Sequence, residues 1–514
     1  MRITRRSISL ALALILALGS FPALGTEAQQ PGADIVMGYL ANDGAVLNPF
    51  VCNERDLISV NQLVFESVVE LDSQQRPVPL LADNWSVSGK TWTFKLRSEI
   101  SFHNGIELVA EDVVESYHRF LQAGKENPYY GRLSLIDSMT AVDAFTLQVQ
   151  ARYEGYLTLY AMTFPVVQRG TVADALPRGT GPYWYIRYDE GNSFRLERNP
   201  LWWKQQPEIE SIEGVRYYNT GDMLEALNAG EINCLSTRSP SAAFSRKLAK
   251  LIASDYSTTT YEMLIPNLDE ASAMSDVRVR KAVMYAIDRA TLVSNAYLDM
   301  AQQSEVPIIP GTWLYESQSA VYYHSPERAL TLLNEAGWTD LTGTAKLSRL
   351  KNGLLVDLNV EIVTYVEANS YVRKNAAEQI AANLRAVGIQ ATVTALSMND
   401  AASRVKRGNF DLALVAVNLS EVPNLFPLFS QNGAINYSGS HTAEMDQLLS
   451  RTATAASEDE LKQAYGDLEL HIVDRLPIMG LVFRTGTVLS TRTLAGLSGM
   501  REYDALNGLE FVKK

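Results

Sequence analysis

Residues 77 to 121, PVPLLADNWSVSGKTWTFKLRSEISFHNGIELVAEDVVESYHRFL, contain the densest order of strand, turn and helix signals in the chain. From Thr91 to Leu96, aromatic or apolar residues alternate with polar ones, which is typical of a half-buried strand. The Asn104-Gly105 pair favours a tight turn. From Ala110, apolar residues recur at helical spacing and acidic residues occupy the first turns, which predicts an amphipathic helix. This stretch therefore predicts a sheet with a helix packed across it.

Helix and strand signals alternate along the rest of the chain. Gly230 is placed to end one helix, and Ser275 is placed to cap another that begins at Asp276. Ser325-Pro326 combines an N-cap residue with proline at the first helical position. A further helix is expected from about Tyr371 to Val387, followed by an alternating strand. This order indicates the α/β class.

Three parts of the sequence match one known family pattern. The stretch GTGPYWYI from Gly179, followed by FRLERNPLWWKQQP, is one of them, and the motif Val-Arg-x-Ala…Ala-Ile-Asp-Arg between Val279 and Arg289 is another. In the opening stretch the matching residues are Pro79, Leu80, Ala82, Trp85, Ser88, Thr91, Trp92, Phe94, Leu96, Arg97, Phe102, His103, Gly105, Ala110, Asp112, Val113 and Ser116. Together these segments resemble bacterial extracellular solute-binding protein family 5, the oligopeptide, dipeptide and nickel binders of ABC importers, and the stretch from Gly179 resembles the second signature of that family.

The resemblance implies a two-lobed periplasmic-binding-protein fold of the large type, with an extra inserted domain and a hinge. Mapped onto this sequence, lobe I comprises residues 31–72, 178–263 and 482–514. The inserted domain comprises residues 73–177, and lobe II comprises residues 264–481. The points where the chain crosses between the lobes are expected to form the hinge.

The first 25 residues read as a secretory signal peptide. A basic start precedes an apolar run from Ile8 to Leu18, and Ala23 and Gly25 provide a small-residue cleavage site. Removing these 25 residues from 514 leaves 489, and removing their three arginines changes the formal net charge from −13 to −16. An acidic exported chain disfavours nucleic acid and anionic membranes as partners. The first cysteine lies far beyond the cleavage point, so we expect no lipid anchor.

Cys52 and Cys234 are the only cysteines in the sequence. In an oxidising compartment they form either a disulfide or two buried thiols, and the sequence leaves both open. The resemblance places both residues in lobe I, which favours the disulfide. Neither cysteine lies in a metal-ligand spacing, so no structural zinc is expected.

Catalytic motifs are missing from the sequence. The five histidines are scattered, and neither H-E-x-x-H nor G-x-S-x-G occurs. A glycosidase-type carboxylate pair stays open, because such pairs are assembled in space. We therefore expect a binding protein without catalytic residues, metal or cofactor.

The resemblance also implies where the ligand binds. In the family, a peptide lies between the lobes like an added strand, against a loop that corresponds here to Phe50–Arg55 and a strand and loop corresponding to Phe410–Phe429. Peptide binders place there an aspartate that pairs with the ligand's α-ammonium, and the corresponding position is Ser420. Glu421 either replaces that aspartate after a one-residue shift or points to solvent. In the second case the ligand lacks a free amino terminus.

Eleven residues are candidates for ligand contact. Leu414, Ala416 and Asn418 are expected to face the cleft, with Val415 and Val417 in the core. Tyr129 and Tyr130 either close one end of the cleft or pack on their own domain, and Arg55 pairs either with a ligand carboxylate or with an acidic neighbour. The full set is Asn53, Arg55, Tyr129, Tyr130, Met398, Leu414, Ala416, Asn418, Ser420, Glu421 and Asn436.

The function implied is that of an exported receptor, expected to be monomeric, which closes on a peptide or peptide-like solute and docks on an ABC permease. One alternative is a sensor or chemotaxis protein that presents its ligand to a membrane receptor. Another is a binder of a non-peptide solute such as an oligosaccharide.

Overall fold

The structure is a computed structural model that describes residues 33–189, 192–367, 370–491, 494 and 496–513. The predicted signal peptide and its cleavage site lie outside the described residues. The names lobe I, inserted domain and lobe II are kept below for the segments defined above.

The strands are short in the first half of the chain and include two long ones in the second half. In chain order they are β1 (Ile35–Leu40), β2 (Val69–Leu71), β3 (Pro77–Pro79), β4 (Ala82–Ser88), β5 (Thr91–Leu96), β6 (Ile136–Asp143), β7 (Thr146–Ala151), β8 (Tyr183–Asp189), β9 (Ser193–Arg198), β10 (Ser211–Tyr217), β11 (Cys234–Thr237), β12 (Ile252–Pro266), β13 (Ala301–Gln303), β14 (Ser348–Lys351), β15 (Leu354–Asp357), β16 (Asn359–Tyr365), β17 (Gln390–Leu396), β18 (Leu412–Asn418) and β19 (Met479–Ser490).

Most helices lie between strands. They are α1 (Arg55–Asn61), α2 (Ala110–Ala123), α3 (Tyr130–Leu133), α4 (Thr158–Ala161), α5 (Thr220–Ala229), α6 (Val277–Ala286), α7 (Arg289–Asn295), α8 (Pro326–Glu335), α9 (Val372–Ala386), α10 (Met398–Lys406), α11 (Phe426–Phe429), α12 (Ala443–Thr454) and α13 (Glu458–Arg475). None of the helices in the described part of the chain is long and apolar enough to cross a membrane.

One large mixed sheet extends through both lobes. Its strand order is β17-β16-β18-β12-β19-β11-β1-β10-β9-β8, and β13 pairs with β19 at the side. Strands β17, β16 and β18 come from lobe II, whereas β11, β1, β10, β9 and β8 come from lobe I. The antiparallel pair β12 and β19 joins the two halves.

Both predicted crossings between the lobes fall inside β12 and β19. Glu262 faces Val482 and Met263 faces Gly480 across the pair, and the register shifts between these two positions and again between Ser257 and Tyr261. Such bulges bend a strand and increase its twist locally. The segment that joins the lobes is therefore an irregular two-stranded ladder, and no loop carries the chain across.

The inserted domain has its own four-stranded antiparallel sheet in the order β4-β5-β7-β6. Strand β5 and helix α2 occupy the predicted positions, and Gly105 has φ +80°, as the turn before the helix requires. Val113, Tyr117 and Phe120 are buried on the inner side of α2. These sequence predictions are confirmed.

Two large hydrophobic cores lie on either side of the hinge strands. Lobe I and the inserted domain share one of them, in which Phe65, Phe120 and Phe164 are all buried. The other core fills lobe II, and Leu157 and Tyr160 of the inserted domain belong to it. A smaller cluster packs under α5 in lobe I. The inserted domain therefore packs on lobe I over a broad area and contacts lobe II with one edge.

That edge also makes backbone hydrogen bonds to lobe II. The Tyr156 N–H donates to Ala455 O at 2.8 Å, and the Trp313 N–H donates to Gln74 O at 2.9 Å. The Trp313 indole N–H donates to the Tyr160 hydroxyl at 2.9 Å. These contacts hold the lobes together on the inserted-domain side of the cleft.

One predicted helix cap is wrong. Asp276 caps α6, because its side chain accepts the Arg278 N–H, and Ser275 belongs to the preceding turn. Helix α6 ends at Ala286, and Asp288 caps the separate helix α7 that follows. By contrast, Gly230 ends α5 in the left-handed conformation as predicted.

Candidate functional site

A cavity lies between the lobes, and we call it the cleft cavity. It is partly open to solvent, and the space between its walls is about 690 Å³ with this open part included. Lobe II contributes residues 307–309, 312–314 and 419–425, and the hinge contributes Phe483. Residues on the opposite side are Leu71, Gln75, Tyr160, Ser257, Thr259, Arg501 and Glu502. An apolar cavity with a few polar groups, walled by separate parts of a protein, is the usual form of a small-molecule site.

Ser420 and Glu421 both line the cleft cavity. Glu421 does not point to solvent, since its carboxylate forms an ion pair with Arg132 of the inserted domain. The Arg132 side chain is only 8% exposed and that of Glu421 16%. Burial lowers the pKa of Arg132 to about 10, so the guanidinium remains charged at neutral pH. The pair bridges lobe II and the inserted domain.

Arg132 is held in place by the short helix α3 and the turn before it. The Asn127 side chain donates to Pro49 O at 3.1 Å and to Phe50 O at 2.8 Å, which ties this turn to the predicted ligand loop of lobe I. The Arg132 guanidinium lies 4.9 Å from the ring centre of Tyr129. Tyr129 is buried and packs within its own domain, and Tyr130 is half-buried. Neither tyrosine lines the cleft cavity.

Arg55 pairs with an acidic neighbour. Its Nη1 lies 3.2 Å from Glu502 Oε1, and its guanidinium lies 5.7 Å from the ring centre of Tyr503. Arg238 reaches the same Glu502 oxygen at 3.1 Å. Asn53 is exposed and does not line the cleft cavity. Arg55 therefore reaches the cleft cavity through Glu502, which lines it.

A second cavity, the strand-edge cavity, opens to solvent beside β18, and the space between its walls is about 1300 Å³ with this open part included. Four predicted residues meet there: Met398, Leu414, Ala416 and Asn418. Strand β18 pairs with β12 along its whole length, but with β16 only at Leu412 and Ala413. Beyond Ala413 the strand therefore has no strand partner on that side, and the cavity fills the gap.

The expected facing of side chains on β18 is wrong. Leu414 is fully buried, whereas Val415, Ala416 and Val417 are half-buried and Asn418 is exposed. Beyond Ala413 the strand no longer pairs with β16. Side chains on both of its faces therefore become partly accessible.

Asn436 has a structural role in the loop after β18. Its amide donates to Ser430 O at 3.0 Å and to Ser440 O at 2.8 Å. Its neighbours Ile435 and Tyr437 line the strand-edge cavity, and Asn436 itself does not.

Arg132 and Glu421 also line a third cavity, whose other walls come mainly from lobe I. We call it the polar cavity. Glu66, Glu70 and Glu510 line it together with Asp504 and Lys204. Burial raises the pKa of all four carboxyl groups, and that of Glu510 to about 7.

The acidic groups of this cavity were missed in the sequence analysis. Glu66 accepts hydrogen bonds from the indoles of Trp202 at 3.2 Å and Trp203 at 3.0 Å, and from the Thr180 hydroxyl at 2.8 Å. The run Trp202-Trp203-Lys204 is visible in the sequence, but Glu66, which accepts the indole hydrogen bonds, lies more than 130 residues earlier. Among the described residues, no group of three or more His, Cys, Asp or Glu side chains is suited to hold a metal ion.

The cysteines are free in the structure, which corrects the disulfide option. Cys52 lies in the loop before α1, and its thiol is 3.9 Å from Glu54 O. Cys234 starts β11 in the middle of the large sheet, opposite Met37 and Ser490. Burial raises the pKa of both thiols to about 12, which disfavours the reactive thiolate form.

Comparison with known proteins gives a consistent family assignment. A model described as "Bacterial extracellular solute-binding proteins, family 5 Middle" matches residues 76–436. The dipeptide-binding protein of Escherichia coli K12 is 26% identical over 382 residues, covering 66% of this chain and 67% of that protein. The nickel-binding periplasmic protein of the same strain is 24% identical over 397 residues, covering 74% of each.

Solved structures share the fold. The structure of HbpA2 from Haemophilus parasuis aligns with a TM-score of 0.78 at 20% identity, covering 92% of this chain and 99% of that one. The two-lobed binding-protein fold predicted from the sequence is thereby confirmed.

Proposed function

The chain belongs to the bacterial extracellular solute-binding proteins of family 5, and on that premise we propose that it captures a peptide or peptide-like solute between its lobes. The ligand is then delivered to the permease of an ABC importer. We further propose that the chain is exported with residues 1–25 removed, carries no lipid anchor, acts as a monomer and catalyses no reaction.

The observation that carries this proposal is the cleft cavity, whose walls come from lobe I, the inserted domain and lobe II together. A solute that touches all three segments favours the closed arrangement over the open one, because only closure forms all the contacts. Ligand binding and domain closure are thus thermodynamically coupled. A permease that binds only the closed form therefore engages the protein mainly when it carries a solute.

Two features favour a peptide over other solutes. Strand β18 lacks a strand partner beyond Ala413 on the side of the strand-edge cavity, and the loop from Leu419 to Leu425 continues from it into the cleft cavity. Two β16 side chains already contact the β18 backbone on this side, since the Thr364 hydroxyl donates to Leu414 O at 3.0 Å and Tyr365 hydrogen-bonds the Ala416 backbone. The strand edge beyond these contacts suits a ligand that carries backbone amides. A relative covering two thirds of the chain is named a dipeptide-binding protein, which agrees with this proposal.

The test is mass spectrometry of small molecules released by denaturing the protein purified from its native host. We expect short linear peptides of varied sequence. A single non-peptide species would contradict the peptide part of the proposal and leave solute capture in place. Scattering experiments with and without the released material should show a smaller radius of gyration when it is bound, and an unchanged radius would contradict closure.

A further inference from the structure

A β-hairpin projects from the surface of lobe II. Its strands, β14 and β15, form a two-stranded sheet of their own. The chain is buried at Ser348, where the hairpin begins, and again at Leu358 after it, whereas every residue from 350 to 357 is exposed. The turn is Asn352-Gly353, with both residues at positive φ, as a tight turn of this sequence requires. The hairpin is therefore an ordered ribbon that stands out into solvent.

The apolar side chains of this hairpin face water. Leu350 is 68% exposed and Leu354 72%, and Leu355 and Val356 are exposed as well. Leu350 lies opposite Leu355 across the pair, and Leu354 lies opposite Lys351. Directly opposite residues share a face of a sheet and neighbours along a strand alternate, so leucines occupy both faces of the ribbon near its tip. Clustered apolar side chains on a protein surface mark a contact site.

The charged side chains of the hairpin are positive. Lys346, Arg349 and Lys351 lie between Asp340 and Asp357, and the sequence between these two aspartates contains no acidic residue. None of the three cations forms an ion pair with another described residue. Their charge is therefore available to an anionic partner, and the apolar tip lies directly beside it.

The acidic net charge of the chain, −13, does not prevent such a contact. A strand of four residues, such as β14, is about 13 Å long. The Debye length at physiological ionic strength is about 8 Å. A surface that touches the tip of the hairpin therefore interacts mainly with the cations of the hairpin, because salt screens the more distant acidic residues.

We propose that this hairpin docks on the surface of an anionic phospholipid bilayer. Leu350, Leu354 and Leu355 enter the interfacial region, and the three cations lie against lipid phosphate groups. Charge complementarity favours this partner over a second copy of the chain, because two hairpins in contact would bring six cations together. The inference goes beyond the proposed function, since it gives an exported receptor a reversible hold on a membrane without a lipid anchor.

The experiment is co-sedimentation of the protein, purified from its native host, with lipid vesicles. One set contains phosphatidylcholine alone and the other equal parts of phosphatidylcholine and phosphatidylglycerol. The wild type should bind the second set more tightly, and added salt should weaken this binding. Lys346→Gln combined with Lys351→Gln should weaken it about 30-fold, because each cation near an anionic surface contributes about a factor of five. Leu350→Ser combined with Leu354→Ser should weaken it about tenfold or more.

Matched controls are available on other exposed surfaces. Lys406→Gln on α10 and Leu201→Ser should bind vesicles as the wild type does, since both residues are exposed and lie far from the hairpin in sequence. The melting temperature of the hairpin variants should equal that of the wild type, because the replaced side chains are exposed.

A fluorescent label shows whether the hairpin itself meets the lipid. Cys52 and Cys234 are buried, so a dye should label only the thiol introduced by Leu354→Cys. The emission of an environment-sensitive dye there should shift to the blue with phosphatidylglycerol vesicles.

Four results would overturn the proposal. The first is equal binding of the wild type to both vesicle sets, and the second is binding to neither. The third is wild-type affinity in the two double variants, which keep the same amino terminus and would then bind through another segment. The fourth is crosslinking through the hairpin to a second copy or to a membrane protein without vesicle binding. Each of these results leaves the proposed solute capture unaffected.

Discussion

Replacing Glu421 by glutamine tests whether the ion pair with Arg132 holds the lobes closed. The substitution preserves shape and removes one charge. Arg132 then remains 8% exposed with no carboxylate partner, although its Nη1 still donates to the Thr163 hydroxyl at 2.6 Å. The partners belong to different sides of the cleft, so the consequence depends on whether the cleft opens.

The magnitude follows from burial. Removing one partner of a fully buried pair costs about 3–5 kcal/mol, because the other charge is left uncompensated. Glu421 is 16% exposed and water reaches part of the pair, so we take about 2–3 kcal/mol. Opening the lobes returns Arg132 to water and removes this cost. We therefore expect the open form to gain about 30- to 150-fold relative to the closed form.

Small-angle scattering of the refolded, solute-free protein measures this shift as an increase in the radius of gyration. Glu115→Gln is the matched control, because the Arg119–Glu115 pair lies on the exposed face of α2, with side chains 46% and 35% exposed. This control should change neither the radius nor, by more than about 0.5 kcal/mol, the stability.

Two results would refute the reasoning. An unchanged radius with a stability loss of about 2–3 kcal/mol would mean that the pair stabilises folding and not closure. No change in either quantity would mean that the pair contributes nothing in solution.

Three further predictions concern other parts of the protein. Burial raises the pKa of Glu469 to about 8, so the folded form holds a proton that the unfolded form releases above about pH 4.5. The free energy of unfolding should fall as pH rises from about 4.5 to about 8, by up to about 1.4 kcal/mol per pH unit. Urea denaturation at several pH values measures it, and the same pH dependence in the wild type and in Glu469→Gln would contradict this prediction. At Gly155, φ is +141° and an added Cβ would lie 2.1 Å from a backbone oxygen of α12, so Gly155→Ala should open the cleft in scattering experiments, whereas Gly131→Ala, with open space around it, should not. Cys52 and Cys234 should stay unreactive to a thiol reagent until the protein unfolds, and a reducing agent should leave the melting temperature unchanged.

Local patterns in the sequence were enough to predict individual elements. Alternation between Thr91 and Leu96 and the helical spacing after Ala110 depend only on neighbours, and both elements form where predicted. Local patterns do not identify the N-cap of α6, because Ser275 and Asp276 are both residue types that cap helices well. The structure shows that Asp276 accepts the hydrogen bond.

The binding site was only partly predictable, because its contacts join residues that are distant in sequence. The resemblance to the family placed Ser420 and Glu421 in the ligand-binding segment, and both line the cleft cavity. The partner of Glu421 is Arg132, almost 300 residues earlier, and the sequence holds no local sign of that contact. Glu502 was missed for the same reason, because its ion-pair partners Arg55 and Arg238 lie hundreds of residues earlier in the sequence.

The position of β19 in the large sheet sets the order in which the protein can be completed. One half of the sheet ends at β12 and the other at β11, and β19 is the strand that joins them. Its residues, Met479–Ser490, lie near the end of the chain. A nascent chain that emerges amino terminus first therefore carries two half-sheets with exposed edges until almost all of it has appeared. We therefore expect chains truncated before β19 to aggregate, because both half-sheets then keep an unpaired edge.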